Sequence, residues 1–302
     1  MTRRHELEVH RNKLGEIRDI MNSMKTLAYM ETRKLSRFLD NQQVIVDGIE
    51  AMAADFISFF PETLPISEER NEATTDVYLL IGSERGFCGN FNESLLPMVE
   101  SYIANSASIK PILIAVGYKL HTVLEKDSRV FANIGGTNVV EEVEVVLTHI
   151  VDILVSLQSA HAPLSLFVIY HGGGHGSIRP EKEHQILIQK LLPPFQRYLF
   201  TESNLPHSPI LNVSPTDFLL ELTDHYLLST LHEILYTSLM EENHRRVQLL
   251  EAAVQQMDDK TNELTSKCHA LRQEEIIEEI EVILLGATNL DDDRNKRYPV
   301  GD

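Results

Sequence analysis

Near the start of the chain a stripe of apolar side chains keeps helical phase for much longer than a globular helix needs. Alternating steps of three and four from Leu14 reach Ile17, Met21, Met24, Ala28, Glu31, Leu35, Phe38, Gln42, Ile45, Ile49, Met52, Phe56 and Phe59. Twelve of these fourteen positions are apolar, and no proline intervenes before Pro61. A seam held in phase from Leu14 to Phe59 is the signature of a coiled coil. At about 1.5 Å per residue, such a helix reaches roughly 70 Å.

The other end of the chain repeats the pattern. Between Pro215 and Pro299 there is no proline and a single glycine, Gly286. The same stepping gives Val247, Leu250, Val254, Met257, Thr261, Leu264, Cys268, Leu271, Glu275, Glu278, Val282 and Leu285, with two carboxylates taking seam positions near the end. This helix is expected to span on the order of 100 Å. Each stripe needs a partner, and the nearest is the other stripe, packed antiparallel because the two lie at opposite ends of the chain. A compact domain cannot contain such a length, so part of it is expected to project.

The middle has a different rhythm. Apolar strand-like runs stand at 77–82 (VYLLIG), 111–117 (PILIAVG) and 164–170 (LSLFVIY), with helical patterns at 92–104, 117–126 and 140–159 between them. Alternating strands and helices point to a mainly parallel sheet. The expected fold is α/β: a long antiparallel coiled coil of N- and C-terminal helices plus a small Rossmann-like α/β domain. The boundaries read as a coiled-coil helix over 1–60, an α/β domain over 74–212, a second coiled-coil helix over 213–290 and an acidic tail over 291–302. The polar stretch 61–75 reads as a linker.

Composition narrows the function classes. With 43% hydrophobic and 24% charged residues, the chain can build a core. It lacks a run of about 18 apolar residues, so no membrane span is expected, and its start does not read as a leader. The net charge of −18 argues against nucleic acid and anionic lipid as general partners. The charge is uneven. Residues 1–37 carry nine Lys/Arg against five Asp/Glu, whereas 241–302 carry eight against fifteen.

Candidate chemistry is sparse. The loop SERGFCGN (83–90) follows a strand and holds Cys88, but it lacks the GK[ST] ending of a phosphate-binding loop and any His–Asp pair to activate the thiol. It reads as a glycine-shaped turn around a buried small residue. HGGGHGS (171–177) has two histidines four apart, but three glycines rule out the helix that gives this spacing its meaning for zinc, so it reads as a surface loop. Glu274, Glu275, Glu278, Glu279 and Glu281 read as a solvated helix face, with Lys267 and Arg272 near enough to pair with it. Met21, Met24 and Met30 read as coiled-coil core or as an adaptable contact surface. No catalytic residue, metal or cofactor is expected.

Three segments together resemble the gamma subunit of F-type ATP synthases: IMNSMKTLAYMETRKLSR (20–37), IGSERGFCGNFNESLL (81–96) and the run from Glu241 to Leu290. QKLLPP (189–194) is similar to a further element of that family. The resemblance implies a central rotor shaft coupling ion flow through a membrane ring to ATP synthesis or hydrolysis, without an active site of its own. It implies alpha and beta head subunits, an epsilon subunit and the ring as partners, and a place on the cytoplasmic face of a bacterial inner membrane. It also implies partner contacts at Met24 and Lys25 (an acidic lever), at Arg272 and Gln273 (a catch loop) and at Arg246. Three stretches depart from the family pattern: Tyr29, Met30 and Glu31 after the Met-Lys pair; Glu241, Glu242 and Asn243; and Tyr170, His171 and the glycines that follow. These departures suggest a divergent branch, or a stand-alone coiled-coil adaptor derived from the family.

Overall fold

A computed structural model describes residues 3–64, 75–105, 111–161, 163–173, 185–199 and 207–297. Two long helices bracket the chain, α1 (Arg3–Phe59) and α5 (Pro215–Arg297). Helix α5 starts where the sequence specifies a cap. Ser214 Oγ accepts the Asp217 N–H at 3.1 Å, and Pro215 takes the first helical position, where no N–H is required. The helix continues through Arg297, so residues 291–297 are helical. The chain divides into two compact units, residues 1–25 with 250–302, and residues 26–249.

In the larger unit, five strands form one sheet: β1 (Thr75–Ile81), β2 (Ile112–Val116), β3 (Val130–Ile134), β4 (Leu164–Gly172) and β5 (Gln185–Leu192). Their order is β3-β2-β1-β4-β5, all parallel except β5, which runs antiparallel to β4. Helices α2 (Leu95–Asn105) and α3 (Tyr118–Leu124) cover one face, burying Leu95, Val99, Leu120 and Leu124 against Tyr78, Leu80, Leu113 and Ala115. On the other face α4 (Val143–His161) joins α1 and α5 over Val77, Leu79, Ile114 and Val168. Central β1 is therefore buried on both faces, and this is why it reads as an unbroken apolar run.

Strands β3 and β5 were not expected from the sequence. Both lie at sheet edges, and β3 alternates half-buried and exposed positions before its buried last residue, so neither forms an apolar run. Gln189–Leu192 of the QKLLPP segment belong to β5 itself. Helix α4 with the turn before it is long and apolar enough, by composition, to cross a membrane. Its Val143, Val146, Leu147, Ile150 and Leu157 are instead built into the sheet core.

The α1 seam also departs from expectation. The heptad positions Ala28, Leu35 and Phe56 are buried as read, but the second seam position lies four residues on, at Leu39, Val46 and Ala53. Phe38, Ile45 and Met52, expected in the seam, are 44–51% exposed. Apolar residues occupy both offsets here, and packing against the sheet and α5 selects between them. Antiparallel pairing with α5 is fixed in this unit by Phe38 against Tyr236 (5.9 Å between centroids), Gln42 Nε2 donating to Ser229 O (2.9 Å) and Phe56 against Phe218 (4.8 Å).

The smaller unit pairs the start of α1 with the second half of α5. Arg4 meets Glu275 at 3.0 Å, Arg18 meets Asp258 at 2.8 Å and Lys25 meets Glu251 at 3.8 Å, again antiparallel. The α5 stripe matches its expected positions as far as Leu271: Leu250, Val254, Leu264 and Cys268 are buried. Beyond Glu275 the apolar residues Ile276, Ile277, Ile280, Val282 and Ile283 are 46–69% exposed.

Candidate functional site

In an open parallel sheet, ligands bind outside the carboxyl ends of the strands, where the strand order reverses. That point here lies between β1 and β4, and the chain closes it with its own side chains. Gly82 ends β1 in contact with α3. A side chain on it would place its Cβ 2.5 Å from Leu120 Cβ and 2.6 Å from Asn92 Oδ1. Asn92 then organises the loop, accepting the Ser83 N–H at 2.9 Å and donating to Ser83 Oγ at 2.9 Å. Cys88 is 3% exposed, and its thiol donates to Ser83 Oγ at 3.2 Å. Burial pushes the thiol pKa up more than this hydrogen bond lowers it, so the group stays protonated and is no nucleophile. Phe87 (φ 61°) and Gly89 (φ 64°) make the left-handed turns that let the loop reverse.

The backbone donors an anionic ligand would need are already taken. Glu84 carries its carboxylate to the Gly136 N–H at 2.7 Å and to the Tyr118 N–H, at the start of α3, at 3.0 Å. An internal carboxylate thus occupies a place suited to a phosphate.

Helix α5 completes the closure. Arg246, 7% exposed, forms a buried ion pair with Glu242, donates from Nη1 to Asn243 Oδ1 at 2.8 Å and from Nε to Gly86 O at 3.2 Å. Its neighbour Arg245 donates to Asn90 Oδ1 at 3.4 Å and to His171 Nδ1 at 3.2 Å, with its guanidinium 5.3 Å from the Phe91 ring centre. His171 is fully buried. It packs on Phe91 at 4.0 Å between centroids and donates from Nε2 to the Phe91 carbonyl at 2.7 Å. A carbonyl only accepts, so Nε2 carries the proton and Nδ1 is free to accept from Arg245. Burial pushes the Glu242 carboxyl up to about 7, against the opposing pull of Arg246. Burial also lowers the Arg245 pKa. The cluster is a latch holding the 83–90 loop to α5.

His171 is therefore a core residue at the end of β4, and the surface-loop reading fails for it; residues 174–177 of the same motif lie outside the described residues. Two of the departures from the family pattern, at His171 and at Glu241–Asn243, meet in this one latch. Of the residues expected to touch partners, Arg246 is spent inside the chain, Met24 is half-buried, Lys25 pairs loosely with Glu251, and Arg272 and Gln273 are exposed. Lys267 pairs with Glu263 at 2.6 Å and not with the acidic cluster, in which Glu275 pairs with Arg4. Sequence reasoning also missed that Arg4, Arg11, Arg18 and Lys25 recur every seventh residue, a basic heptad position legible in the sequence.

A family model described as ATP synthase matches residues 4–290. This chain belongs to the ATP synthase gamma-subunit family. The gamma chain of Clostridium botulinum (strain Langeland) is 23% identical over 289 residues, covering 92% of this chain and 95% of that one. The gamma chain of Bdellovibrio bacteriovorus is 24% identical over 285 residues, covering 90% and 93%. Among solved structures, the Tetrahymena thermophila mitochondrial ATP synthase central stalk aligns with a TM-score of 0.53 at 18% identity, over 78% of this chain and 99% of that one. A chain of the Euglena gracilis mitochondrial ATP synthase aligns at 0.50 and 14% identity, over 93% and 99%. The gamma family's match takes in both long helices as well as the sheet, so the chain is a subunit of an ATPase complex and a peripheral part of a membrane-associated assembly.

Proposed function

We infer that this chain is the central rotor shaft of an ATP synthase. The observation that carries this is a family match from residue 4 to 290, across α1, the sheet and α5. A stand-alone adaptor is not favoured, because an adaptor has no need of all three parts. A rotor works by differential stabilisation: its asymmetric surface favours a different conformation at each catalytic site as it turns. The chain itself supplies no catalysis. The closed switch point, the protonated Cys88 and the anion place filled by Glu84 all support that reading.

The partners we propose are the alpha and beta head subunits, the epsilon subunit and the ion-translocating ring, on the cytoplasmic face of a bacterial inner membrane. The proposed organisation is shaft helices over 1–60 and 213–290, a foot over 74–212 and a tail over 291–302. Met24 and Lys25 face an acidic lever of the head; the Lys25–Glu251 distance of 3.8 Å is loose enough for the ammonium to exchange partners. Exposed Arg272 and Gln273 hydrogen-bond a loop of the head. Arg246 serves these contacts indirectly, by holding the 83–90 loop to α5.

Co-expression with alpha and beta subunits tests the assignment. A stoichiometric complex is expected to co-purify with this chain. Alpha–beta assemblies that form without it, under conditions where the chain is folded, would overturn it.

A further inference from the structure

We propose that the latch is proton-operated: a second proton on the buried His171 ring breaks its contact with Arg245 and lets the 83–90 loop come away from α5. The ring has one nitrogen left to take that proton. Its Nε2–H is committed to the Phe91 carbonyl at 2.7 Å, with Ser94 Oγ 3.3 Å away, and Nδ1 uses its lone pair to accept from Arg245 Nη2 at 3.2 Å. A proton reaching Nδ1 from solvent takes that lone pair. Two donors, both cationic, then face each other at hydrogen-bond distance, and the hydrogen bond becomes a repulsion.

The surroundings decide which partner yields. His171 is fixed in β4, fully buried and packed on Phe91. Arg245 is half-buried, and burial already lowers its pKa, so the place holds one cation poorly and two worse. The Arg245 side chain leaves for solvent, and its contacts with Asn90 and the Phe91 ring go with it. The loop then hangs on α5 by Arg246 Nε at the Gly86 carbonyl, 3.2 Å away.

Other charged groups act on this place among the described residues. On α5, Glu241 brings its carboxylate to the end of β4, where it would lie 2.6 Å from a Cβ on Gly173, and it attracts Arg245. It also attracts an imidazolium, and so invites the proton. Glu242, paired with Arg246 and pushed up to about 7 by burial, takes a proton in the same pH range with the opposite effect: its neutral form suits the buried, closed state. In the loop, Glu84 and Arg85 act on Glu242, and Glu93 is exposed. On β5 the residue paired with His171 is Ile186, which has no charge. His171 is thus the group that opens the latch in acid, and Glu242 opposes it.

The test uses the full chain without partners, so it does not depend on the rotor assignment. Cys88 is 3% exposed within the latched loop and reports its opening. The sequence has two cysteines, so a Cys268→Ala background leaves Cys88 as the single thiol. Maleimide labelling is measured on the native chain and in urea at the same pH; the ratio of the two rates gives a protection free of the thiol's own titration. An imidazole in water titrates near pH 6.5, so a closed latch that accepts only the neutral ring opens about tenfold more at about pH 5.5 than at about pH 8. Protection in this background is expected to fall by that factor while circular dichroism shows the chain still folded. His171→Gln, whose amide can donate and accept but takes no proton, should change by less than about twofold over the same range. Glu242→Gln should keep the fall. Should His171→Gln not fold, Arg245→Gln decides, because it removes the cation that the imidazolium repels: the fall should shrink to about threefold or less. Constant protection without these changes, a full-sized fall in His171→Gln or Arg245→Gln, loss of the fall in Glu242→Gln, or global unfolding by about pH 5.5 overturns the proposal.

Discussion

One heptad position of α1 behaves oppositely in the two units of the molecule. In the unit formed by residues 1–25 and 250–302 it holds Arg4, Arg11, Arg18 and Lys25; in the unit 26–249 it holds Thr32, Leu39, Val46 and Ala53. Leu39, Val46 and Ala53 are 7%, 5% and 0% exposed, whereas the side chains of Arg4, Arg18 and Lys25 are 35%, 41% and 26% exposed and reach carboxylates on α5. The same helix is thus sealed by apolar burial in one unit and laced by ion pairs in the other. Exposed ion pairs contribute little and are screened by salt. The ion-paired unit also leaves Ile276, Ile277, Ile280, Val282 and Ile283 uncovered by the described residues. One unit completes its own core; the other leaves apolar side chains open among the described residues.

The largest effect should come from the sealed unit. Leu35→Ala empties a fully buried site against the sheet and is expected to cost about 2–5 kcal/mol in chemical denaturation. Leu264→Ala, in the half-open seam, is expected at the low end of that range, about 2 kcal/mol. Equal losses would break the comparison.

Charge on the uncovered stretch should separate folding from assembly. Ile280→Asp with Ile283→Asp is expected to leave the isolated chain within about 0.5 kcal/mol of wild type, as exposed positions usually do, and to abolish co-purification with head subunits. Destabilisation of the free chain, or unimpaired assembly, would show that α5 is not completed by a partner there.

The latch predicts a pH dependence with a definite sign. Glu242 binds its proton more tightly folded, at about 7, than unfolded, at about 4.5. Its protonated form therefore favours folding at low pH, and that contribution falls as pH rises from about 4.5 to about 7. Glu242→Gln should remove this component of the slope, measured by thermal melting across that window; an unchanged slope would count against a raised Glu242. The smallest expected effect is that of Arg18→Gln: a slight drop in melting temperature at low salt that vanishes at high salt. A drop of equal size at both would mean that the seam cation is buried after all.

The coiled coil was legible because its period is long and uninterrupted, and the central strands because β1, β2 and β4 form solid apolar runs. The α1 register was not. Phe38 and Leu39, or Ile45 and Val46, are equally apolar, and only the sheet beneath α1 decides which turns inward. The edge strands β3 and β5 escaped for a related reason, since most of their side chains stay partly or fully exposed. The latch was invisible piece by piece. His171 lies far in sequence from Glu242 and Arg245, and a histidine before glycines looks like a loop until β4 carries it into the core. The basic heptad of Arg4, Arg11, Arg18 and Lys25 was present in the sequence, but a search for apolar stripes passes over it.

The central claim, that the ion-paired shaft turns inside a head that completes it, is tested most directly by watching it turn. A complex of this chain with alpha and beta subunits, tethered through the head, with a probe on the sheet-bearing unit, should rotate in one direction when ATP is added and stop when ATP is removed. Steady ATP hydrolysis with the probe stationary would contradict the account.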